Sequence, residues 1–467
     1  MCQTSNKRVP AWTPCFVCRY CFGDERQTRL GCAAACDRYD RRSIYSQYIL
    51  PYTYAYYAFG LACYHRRTRR CCYRCFTGFD IFAQIRKTKS GGVQISSILI
   101  SGYYGLGNLG DEAVLAGIVA SFSEKWPTAE ITAMSADPEA TAEEHDIKSI
   151  SRMNGSDVMS AIKNSDLVIS GGGSLLQDVT STRSLIYYLS VMWLAKVLSK
   201  KLMIYAQGVG PINCRFSRKI AARVIRGADA ITVRDADSKD YLAEMGIDPA
   251  GVFVTADPSF VVKPAEPQEA DSVLAASGVE IGMPLICVAV RRWKNELVWL
   301  PNLVKGLNMA ASSIGAGVVF VPMQRDNDLG ISIQIASELS SPAWVVKEKL
   351  SPRLAVALIG RMSLVLGMRL HSLMFASAVG VPFVAISYDP KVSAFSKSVG
   401  AGKPLALESL TADFLADRLV STWKNRATIS ASLCAAALEM KKAALSNVDI
   451  ARALVEGREP AEVQISQ

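Results

Sequence analysis

The stretch SLVLGMRLHSLMFASAVGVPFVAIS, residues 363–387, decides the fold of this chain. Residues 363–367 form a short apolar run typical of a buried strand, and residues 372–379 have the apolar pattern of a helix. Gly380-Val381-Pro382 ends that helix, and residues 383–387 form the next strand. A strand, a helix and a second strand in this order predict a parallel unit of an α/β sheet.

Arg369 and His371 lie between the first strand and the helix of this unit. Ligands of parallel sheets bind beyond the carboxyl ends of the strands, and free N–H groups at a helix N-terminus attract anions. An arginine binds a carboxylate or a phosphate with a rigid fork, and a histidine transfers a proton near neutral pH. The pair therefore indicates an anion-binding catalytic site. A surface arginine beside a packed histidine is the alternative.

Composition separates the first ninety residues from the rest of the 467-residue chain. Residues 1–90 contain 16 Lys and Arg against 5 Asp and Glu, whereas the remainder contains 36 against 37. The nearly neutral remainder has no electrostatic sign of a nucleic-acid partner. Ten of the 13 cysteines precede residue 76, and the wide separation of Cys214, Cys287 and Cys434 is typical of a protein in a reducing cytosol.

Residues 1–92 are predicted to be a Cys- and Arg-rich segment unrelated to the working domains. Closely spaced cysteines such as Cys71-Cys72-x-x-Cys75 resemble parts of a metal site but lack a standard zinc-ribbon spacing, so no metal is assigned. Residues 43–64 carry no charge, but their tyrosines and proline make them a poor membrane span, and an interfacial segment is the alternative. We expect a misplaced start, with translation beginning near Val93 and this segment disordered or never made.

The sequence GLGNLG, residues 105–110, follows an apolar strand at residues 98–102 and precedes a predicted helix from Asp111 to about Phe122. Its G-x-G-x-x-G spacing is typical of dinucleotide-binding loops. However, Asp111 and Glu112 in the first turn of the helix would repel a pyrophosphate, and the acidic residue usual roughly 20 positions later has no clear counterpart. The two carboxylates either cap the helix or accept hydrogen bonds from the hydroxyls of a sugar.

Glycine or polar side chains also follow the other predicted strands. Because the carboxyl ends of parallel strands meet at one edge of a sheet, we expect these residues to line a cleft. The first domain is predicted at residues 93–265, the second at residues 280–405 and a helical tail at residues 406–467. The cleft candidates are Gly172, Gly173, Gln207 and Arg234 in the first domain, and Arg291 and Lys391 in the second.

Taken in chain order, these motifs resemble those of polysaccharide pyruvyl transferases, which modify bacterial cell-surface glycans. The resemblance implies two Rossmann-like domains that face a cleft, as in GT-B glycosyltransferases. It departs from the family at Arg291-Arg292-Trp293, where one arginine and a proline more often precede the tryptophan. The matching stretches are SGYYGLGNLGDE (101–112), SGGGS (170–174), QGVGP (207–211), VRD (233–235), GMRLH (367–371) and SYDPK (387–391).

The resemblance also implies an activity. Pyruvate would pass from phosphoenolpyruvate to two hydroxyls of a hexose in a cell-surface polysaccharide or its lipid-linked precursor, giving a pyruvate ketal and free phosphate. No metal or other cofactor is expected, and the enzyme is expected in the cytoplasm, with peripheral contact at the inner membrane face left open. The alternatives are a nucleotide-sugar-dependent glycosyltransferase of the same fold and a glycan-binding protein without activity.

The chemistry of phosphoenolpyruvate suggests roles for the motif residues. Its carboxylate and phosphate need cations, for which Arg369 is the first candidate, followed by Arg234 and Lys391. His371 is the candidate general acid that protonates the methylene carbon of the donor. The other candidates are Asp111 and Glu112 for the acceptor hydroxyls and, as further substrate contacts, Leu370, Gly105, Asn108, Gly172, Gly173, Gln207 and Arg291.

Overall fold

The computed structural model describes residues 95–179, 181–280 and 282–460, and it shows two parallel sheets. Strands alternate with helices through both halves, as the apolar runs of the sequence predict. The α/β fold class with two Rossmann-like sheets is therefore confirmed. The expectations for residues 1–92, including the metal-site question, the interfacial segment and the start near Val93, lie outside the described residues.

The first sheet is built around β1 (Ser96–Tyr104), whose Ile98, Leu99 and Ile100 are fully buried. This run is apolar without alternation because helices cover both faces of a parallel sheet. The other strands are β2 (Ala129–Ser135), β3 (Lys148–Ser151), β4 (Leu167–Ser170), β5 (Gly173–Leu176), β6 (Lys201–Val209), β7 (Ala230–Val233) and β8 (Val252–Val254). Their order is β3-β2-β1-β4-β6-β7-β8, with β5 paired to β6. The helices are α1 (Leu109–Lys125), α2 (Pro138–His145), α3 (Gly155–Asn164), α4 (Thr182–Val197), α5 (Arg215–Ile225) and α6 (Ala236–Glu244).

The second sheet is connected to the first through α7 (Pro267–Ala276). Its strands are β9 (Leu285–Ala289), β10 (Gly317–Phe320), β11 (Ala343–Val345), β12 (Leu364–Gly367), β13 (Phe383–Ser387) and β14 (Leu405–Ala406). They are arranged in the order β11-β10-β9-β12-β13-β14. The helices are α8 (Glu296–Ile314), α9 (Arg325–Glu338), α10 (Pro352–Gly360), α11 (Leu370–Ala378) and α12 (Pro390–Ser398). The strand–helix–strand unit read from residues 363–387 is thus β12, α11 and β13.

The loop that precedes α1 joins the two halves of the molecule. Asn108 forms an isolated antiparallel bridge with Gln324, and the backbone N–H of Leu109 donates to the carbonyl oxygen of Met323 at 2.9 Å. Leu109 and Ala113 are buried in the apolar cluster of the second half. Apolar burial and backbone hydrogen bonds therefore hold the loop before α1, which belongs to the first sheet, against the second sheet.

The predicted tail consists of α13 (Ala412–Lys424) and the 31-residue α14 (Arg426–Glu456). α14 packs Leu433 in the cluster of the second sheet and Leu454 in a cluster of the first. The buried Asn447 side chain on this helix accepts hydrogen bonds from the hydroxyls of Thr232 and Thr255. No helix within the described ranges has the length and apolar character needed to cross a membrane.

The residue boundaries predicted for the first domain, the second domain and the tail stay predictions.

Candidate active site

A cleft of about 520 Å³ lies between the carboxyl ends of the two sheets. Tyr103 and Arg234 line it from the ends of β1 and β7, whereas Arg291, Arg369 and Tyr388 line it from the ends of β9, β12 and β13. Parallel sheets place their ligands at this edge because the loops there are free to vary. The sequence-based prediction of a cleft at the strand ends therefore corresponds to a cavity in the structure.

His371 lies in the first turn of α11 and faces the start of α1 across the cleft. Gly110 makes this contact possible, since a Cβ atom at that position would overlap the Nδ1 side of the imidazole ring. The His371 side chain is 16% exposed, and its buried Nε2 atom has no hydrogen-bond partner among the described residues. The nearest carboxylate oxygen to Nε2 is Oδ2 of Asp257, at 3.7 Å.

Asp111 lies in the first turn of α1, and its carboxylate borders the cleft. The Asn108 side chain caps this helix and donates through Nδ2 to Oδ2 of Asp111 at 2.5 Å. Gly173 leaves room beside the other oxygen, because a Cβ atom there would lie 3.0 Å from Oδ1. Burial raises the pKa of Asp111 to about 6, although His371 acts to lower it. Near neutral pH this carboxylate is therefore suited to accept a proton.

Arg369 is held in place by a buried carboxylate. Its Nε and Nη2 atoms donate to the two oxygens of Asp328 at 2.9 and 2.5 Å, and Nη2 also donates to Oε1 of Gln324 at 3.3 Å. The Asp328 side chain is fully buried and also accepts from the backbone N–H of Gln324. This two-point geometry fixes the guanidinium rigidly. Within the described chain Nη1 has no hydrogen-bond partner, so it remains the free edge of Arg369.

Arg234 is deeply buried, with 4% of its side chain exposed. Its Nη1 donates to Oδ2 of Asp257 at 2.8 Å, its Nη2 donates to the hydroxyl of Ser174 at 3.2 Å, and Asp235 lies beside its Nε. Burial acts to raise the pKa of Asp257, but His371 and Arg234 together hold it well below its ordinary range. Most of the charge of Arg234 is therefore balanced within the protein.

Lys391 and Arg291 differ from the two paired arginines, because neither forms an ion pair with a carboxylate in the part of the chain that the structure describes. Burial and the nearby Arg234 lower the pKa of Lys391. Arg291 donates to the Tyr388 hydroxyl at 3.2 Å and lies 5.5 Å from the ring centres of both Tyr388 and Trp293. The buried Nε of Arg291 has no hydrogen-bond partner among the described residues. These two side chains therefore bring cations into the cleft that no ion pair holds among the described residues, although Asp389, Asp235 and Asp111 lie close enough to act on Lys391.

The structure places other predicted site residues away from this cleft. Glu112 accepts from the backbone N–H groups of Gly105 and Leu106 at 2.9 and 3.3 Å, and both Glu112 and Gly105 line a separate crevice of about 50 Å³. The side-chain amide of the buried Gln207 donates to the Ser170 hydroxyl and to the Gly171 carbonyl oxygen, and Gln207 does not line the cleft. At Gly172 a Cβ atom would crowd Val114, so a packing contact accounts for that glycine. Of the remaining candidates, Asn108, Gly173 and Leu370 do line the cleft. Substrate contact by any of these residues stays a prediction.

Sequence reasoning missed the buried aspartates that organise the site. Asp257 comes soon after the end of β8, and Asp328 lies in the first turn of α9, the helix that follows β10. Nothing in their spacing showed that one would hold Arg234 and the other Arg369. The aromatic pair Trp293 and Tyr388, with ring centres 4.5 Å apart in the cleft wall, was also not predicted as part of the site.

Comparison with solved structures shows the same overall fold in sugar-nucleotide proteins. A putative UDP-N-acetylglucosamine 2-epimerase from Listeria monocytogenes aligns with a TM-score of 0.57 and 13% identity, covering 80% of this chain and 100% of its own. HepE of Anabaena, in complex with UDP-glucose, aligns with a TM-score of 0.53 and 13% identity over 77% and 99% of the two chains. A UDP-GlcNAc 2-epimerase from Neisseria meningitidis, bound to UDP-GlcNAc, gives 0.53 and 11% over 77% and 100%. At these identities the likeness shows a GT-B-like fold and nothing more specific.

Sequence-level comparison is more specific about the family. No curated protein matches the chain significantly. The family model described as polysaccharide pyruvyl transferase matches residues 108–390, which is more than half of the chain and contains the cleft residues from Asn108 to Asp389. Arg234, Arg291, Arg369 and His371 fall within this family match, whereas Tyr103 and Lys391 of the cleft lie just outside its two ends. The chain belongs to the polysaccharide pyruvyl transferase family, and the protein is a transferase enzyme.

Proposed function

We propose that this enzyme transfers pyruvate from phosphoenolpyruvate to a hexose of a cell-surface polysaccharide or its lipid-linked precursor, forming a pyruvate ketal and releasing phosphate. One observation carries the proposal. Lys391 and Arg291, which form no ion pair with a carboxylate of the described residues, line the cleft that also contains His371 and Asp111. A small, highly anionic donor that must be protonated on carbon needs this combination of cations and an acid.

The donor is bound mainly by the wall that the second sheet provides. Lys391 and Arg291 attract its phosphate and carboxylate, while Arg369, immobilised by Asp328, presents its free Nη1 edge. A guanidinium whose position is fixed loses little conformational freedom when it binds an anion. The helix N-terminus at Leu370 adds backbone N–H groups that favour negative charge at the same point.

Catalysis begins with a proton transfer from His371 to the methylene carbon of the donor. The electron pair of the enol double bond forms the new C–H bond, which leaves an oxocarbenium-like centre on the neighbouring carbon. One acceptor hydroxyl adds to this carbon while Asp111 accepts its proton. The bond from this carbon to the phosphate oxygen then breaks, and phosphate leaves with the proton held on Asp111. The second hydroxyl adds in its place and gives its proton to neutral His371, which completes the ketal and restores the acid. Each positioned acid or base contributes typically 10²–10⁴-fold to such a step.

The acceptor sugar lies against the wall that the first sheet provides. Tyr103, Ser174 and Ser184 supply hydroxyl groups there, beside the carboxylate of Asp111. Uncharged hydroxyls and a single carboxylate suit the hydroxyls of a sugar better than they suit a phosphate. A lipid-linked acceptor would bring the cytoplasmic enzyme to the inner face of the membrane.

The proposed reaction uses no metal and no other cofactor. No group of three or more His, Cys, Asp and Glu side chains that could hold a metal ion occurs in the described ranges. Protonation by His371 and charge balance by Lys391, Arg291 and Arg369 supply the chemistry that the reaction requires. Activity should therefore persist in buffers that contain a strong chelator.

Two measurements test the proposal. Phosphoenolpyruvate should raise the melting temperature without divalent metal, because binding to the native state alone stabilises it by about 2.7 kcal/mol at a hundredfold excess over the dissociation constant. Phosphate should then be released in the presence of a suitable synthetic or lipid-linked saccharide. UDP-glucose is the control, since the similarly folded HepE of Anabaena is in complex with it. Stabilisation by UDP-glucose and not by phosphoenolpyruvate would overturn the proposal in favour of a glycosyltransferase.

A further inference from the structure

The two ring nitrogens of His371 have different surroundings. Nε2 is buried and points toward Oδ2 of Asp257, whereas the Nδ1 side of the ring lies against Gly110 in the lining of the cleft. At 3.7 Å the Nε2–Oδ2 separation exceeds a hydrogen bond, which spans roughly 2.7–3.2 Å. Hydrogen bonds of catalytic groups are often long before substrate binds and shorten in the reacting complex. No other acceptor faces Nε2 within the described residues.

One carboxylate oxygen of Asp257, Oδ2, faces both Arg234 and His371. Its side chain is 1% exposed, and Oδ1 accepts from the backbone N–H of Ser259 at 3.0 Å. This bond leaves Oδ2 for Nη1 of Arg234 and, on its other side, for Nε2 of His371. The Ser259 backbone and Arg234 therefore orient the carboxylate. An oriented carboxylate beside one ring nitrogen of a histidine determines which nitrogen carries the proton.

We propose that Asp257 is the positioning residue of the general acid: it accepts the Nε2 proton of His371, so that Nδ1 is the atom that delivers a proton to the donor. This inference rests on the proposed function for the step it serves. After Nδ1 gives its proton to carbon, the neutral ring retains its proton on Nε2, where Oδ2 of Asp257 accepts it. The other charged groups that line the cleft with His371 are Asp111, Arg234, Arg291, Arg369, Asp389 and Lys391.

The ring tautomer can be measured without any turnover. The chain contains only three histidines, His65, His145 and His371, so nitrogen-15 NMR of a histidine-labelled protein resolves each ring, and His371→Ala assigns the signal. Above its titration midpoint, neutral His371 should carry the proton on Nε2. A neutral ring protonated on Nδ1 would overturn the proposal, whatever the enzyme's substrate. If the ring stays charged up to pH 10, the midpoint should fall in the Asp257→Asn protein, and an unchanged midpoint would overturn the proposal.

Asp257→Ala makes a directional prediction, because it removes the acceptor that faces Nε2. Without that acceptor the neutral ring loses its preference for a proton on Nε2, and the tautomer protonated on Nδ1 should become populated. Arg234→Gln is the matched control, because it removes the other partner of the carboxylate and should leave the tautomer unchanged. The same tautomer in both variants would show that Asp257 serves Arg234 alone.

Kinetics separate positioning from donor binding. Asp257→Asn should lower kcat at least tenfold and shift the alkaline limb of the pH profile to lower pH, and the double variant with His371→Ala should be no slower than His371→Ala alone. Arg234→Gln should instead raise KM for phosphoenolpyruvate more than it lowers kcat. Additive losses in the double variant would contradict the coupling. Absence of any turnover with phosphoenolpyruvate would refute the proposed function, while the NMR result would still decide the role of Asp257.

Discussion

Asp111 and Glu112 are neighbours in the first turn of α1, and replacing each with its amide should separate catalysis from stability. Burial raises the pKa of Asp111 from 3.8 to about 6 and that of Glu112 from 4.5 to about 7. One pKa unit corresponds to about 1.4 kcal/mol, so each ionised carboxylate destabilises the folded state by about 3 kcal/mol. Asp111→Asn and Glu112→Gln should both stabilise the protein at pH 8, by up to that amount.

The direction of the pH dependence follows from the raised pKa values. Between pH 3.8 and about 6 the unfolded chain loses the Asp111 proton while the folded protein keeps it, so stability falls as the pH rises through this window. The corresponding window for Glu112 runs from 4.5 to about 7. Each amide variant should lose its own part of this slope, and below pH 4 its melting temperature should return toward that of the wild type.

Activity should distinguish the two variants. Asp111 borders the cleft, whereas Glu112 lines the separate crevice and holds the N–H groups of Gly105 and Leu106, which an amide oxygen can also do. We expect Asp111→Asn to lower turnover by about 10²–10⁴-fold and Glu112→Gln to stay within a few-fold of wild type. The assays are melting temperature from pH 4 to 8 and phosphate release at pH 7.5. A less stable Asp111→Asn protein at pH 8, or equal losses of turnover, would refute this reasoning.

Three further substitutions test other parts of the cleft. Lys391→Ala should abolish most of the thermal stabilisation by phosphoenolpyruvate, whereas Lys397→Ala, an exposed lysine on the same helix, should keep it; equal effects would show that general surface charge binds the donor. Gly110→Ala adds a Cβ atom that overlaps the ring of His371, so turnover should fall while donor-induced stabilisation persists, at a cost of about 1–3 kcal/mol in stability. Unchanged turnover would show that the ring moves away freely. Asp328→Asn loosens the arginine it clamps, so KM for phosphoenolpyruvate should rise more than kcat falls; the reverse ratio in steady-state kinetics would contradict an orienting role.

Most of the fold could be predicted because local patterns and parallel-sheet rules agree. The unit at residues 363–387 appears as β12, α11 and β13, and the helix expected from Asp111 to Phe122 appears as Leu109–Lys125. Element ends were less predictable, since the Asn108 cap begins α1 earlier than the charged residues suggested. The crossing of α14 between the two halves could not be predicted, because its buried residues face two different cores that only the assembled molecule defines.

The positions of the candidate cations and of the histidine could be predicted, but the ion pairs that hold the arginines could not. Strand ends identified Arg234, Arg369, His371 and Lys391, and all four line one cleft. Their pairing depends on buried carboxylates that approach from other elements, which sequence spacing does not reveal. Glu112 shows that neighbours in the sequence need not share a site. It directly follows Asp111, but one residue along a helix turns the side chain by about 100°, so Glu112 faces a different crevice.

Charge balance explains why paired and unpaired cations occur in one cleft. Buried aspartates hold Arg234 and Arg369, which fixes each guanidinium in place and cancels most of its charge. Such pairs orient a ligand but attract it weakly, because a neutralised group adds little to the field in the cleft. In the proposed reaction, Lys391 and Arg291 would therefore determine the affinity for the trianionic donor, while the paired arginines would determine its orientation.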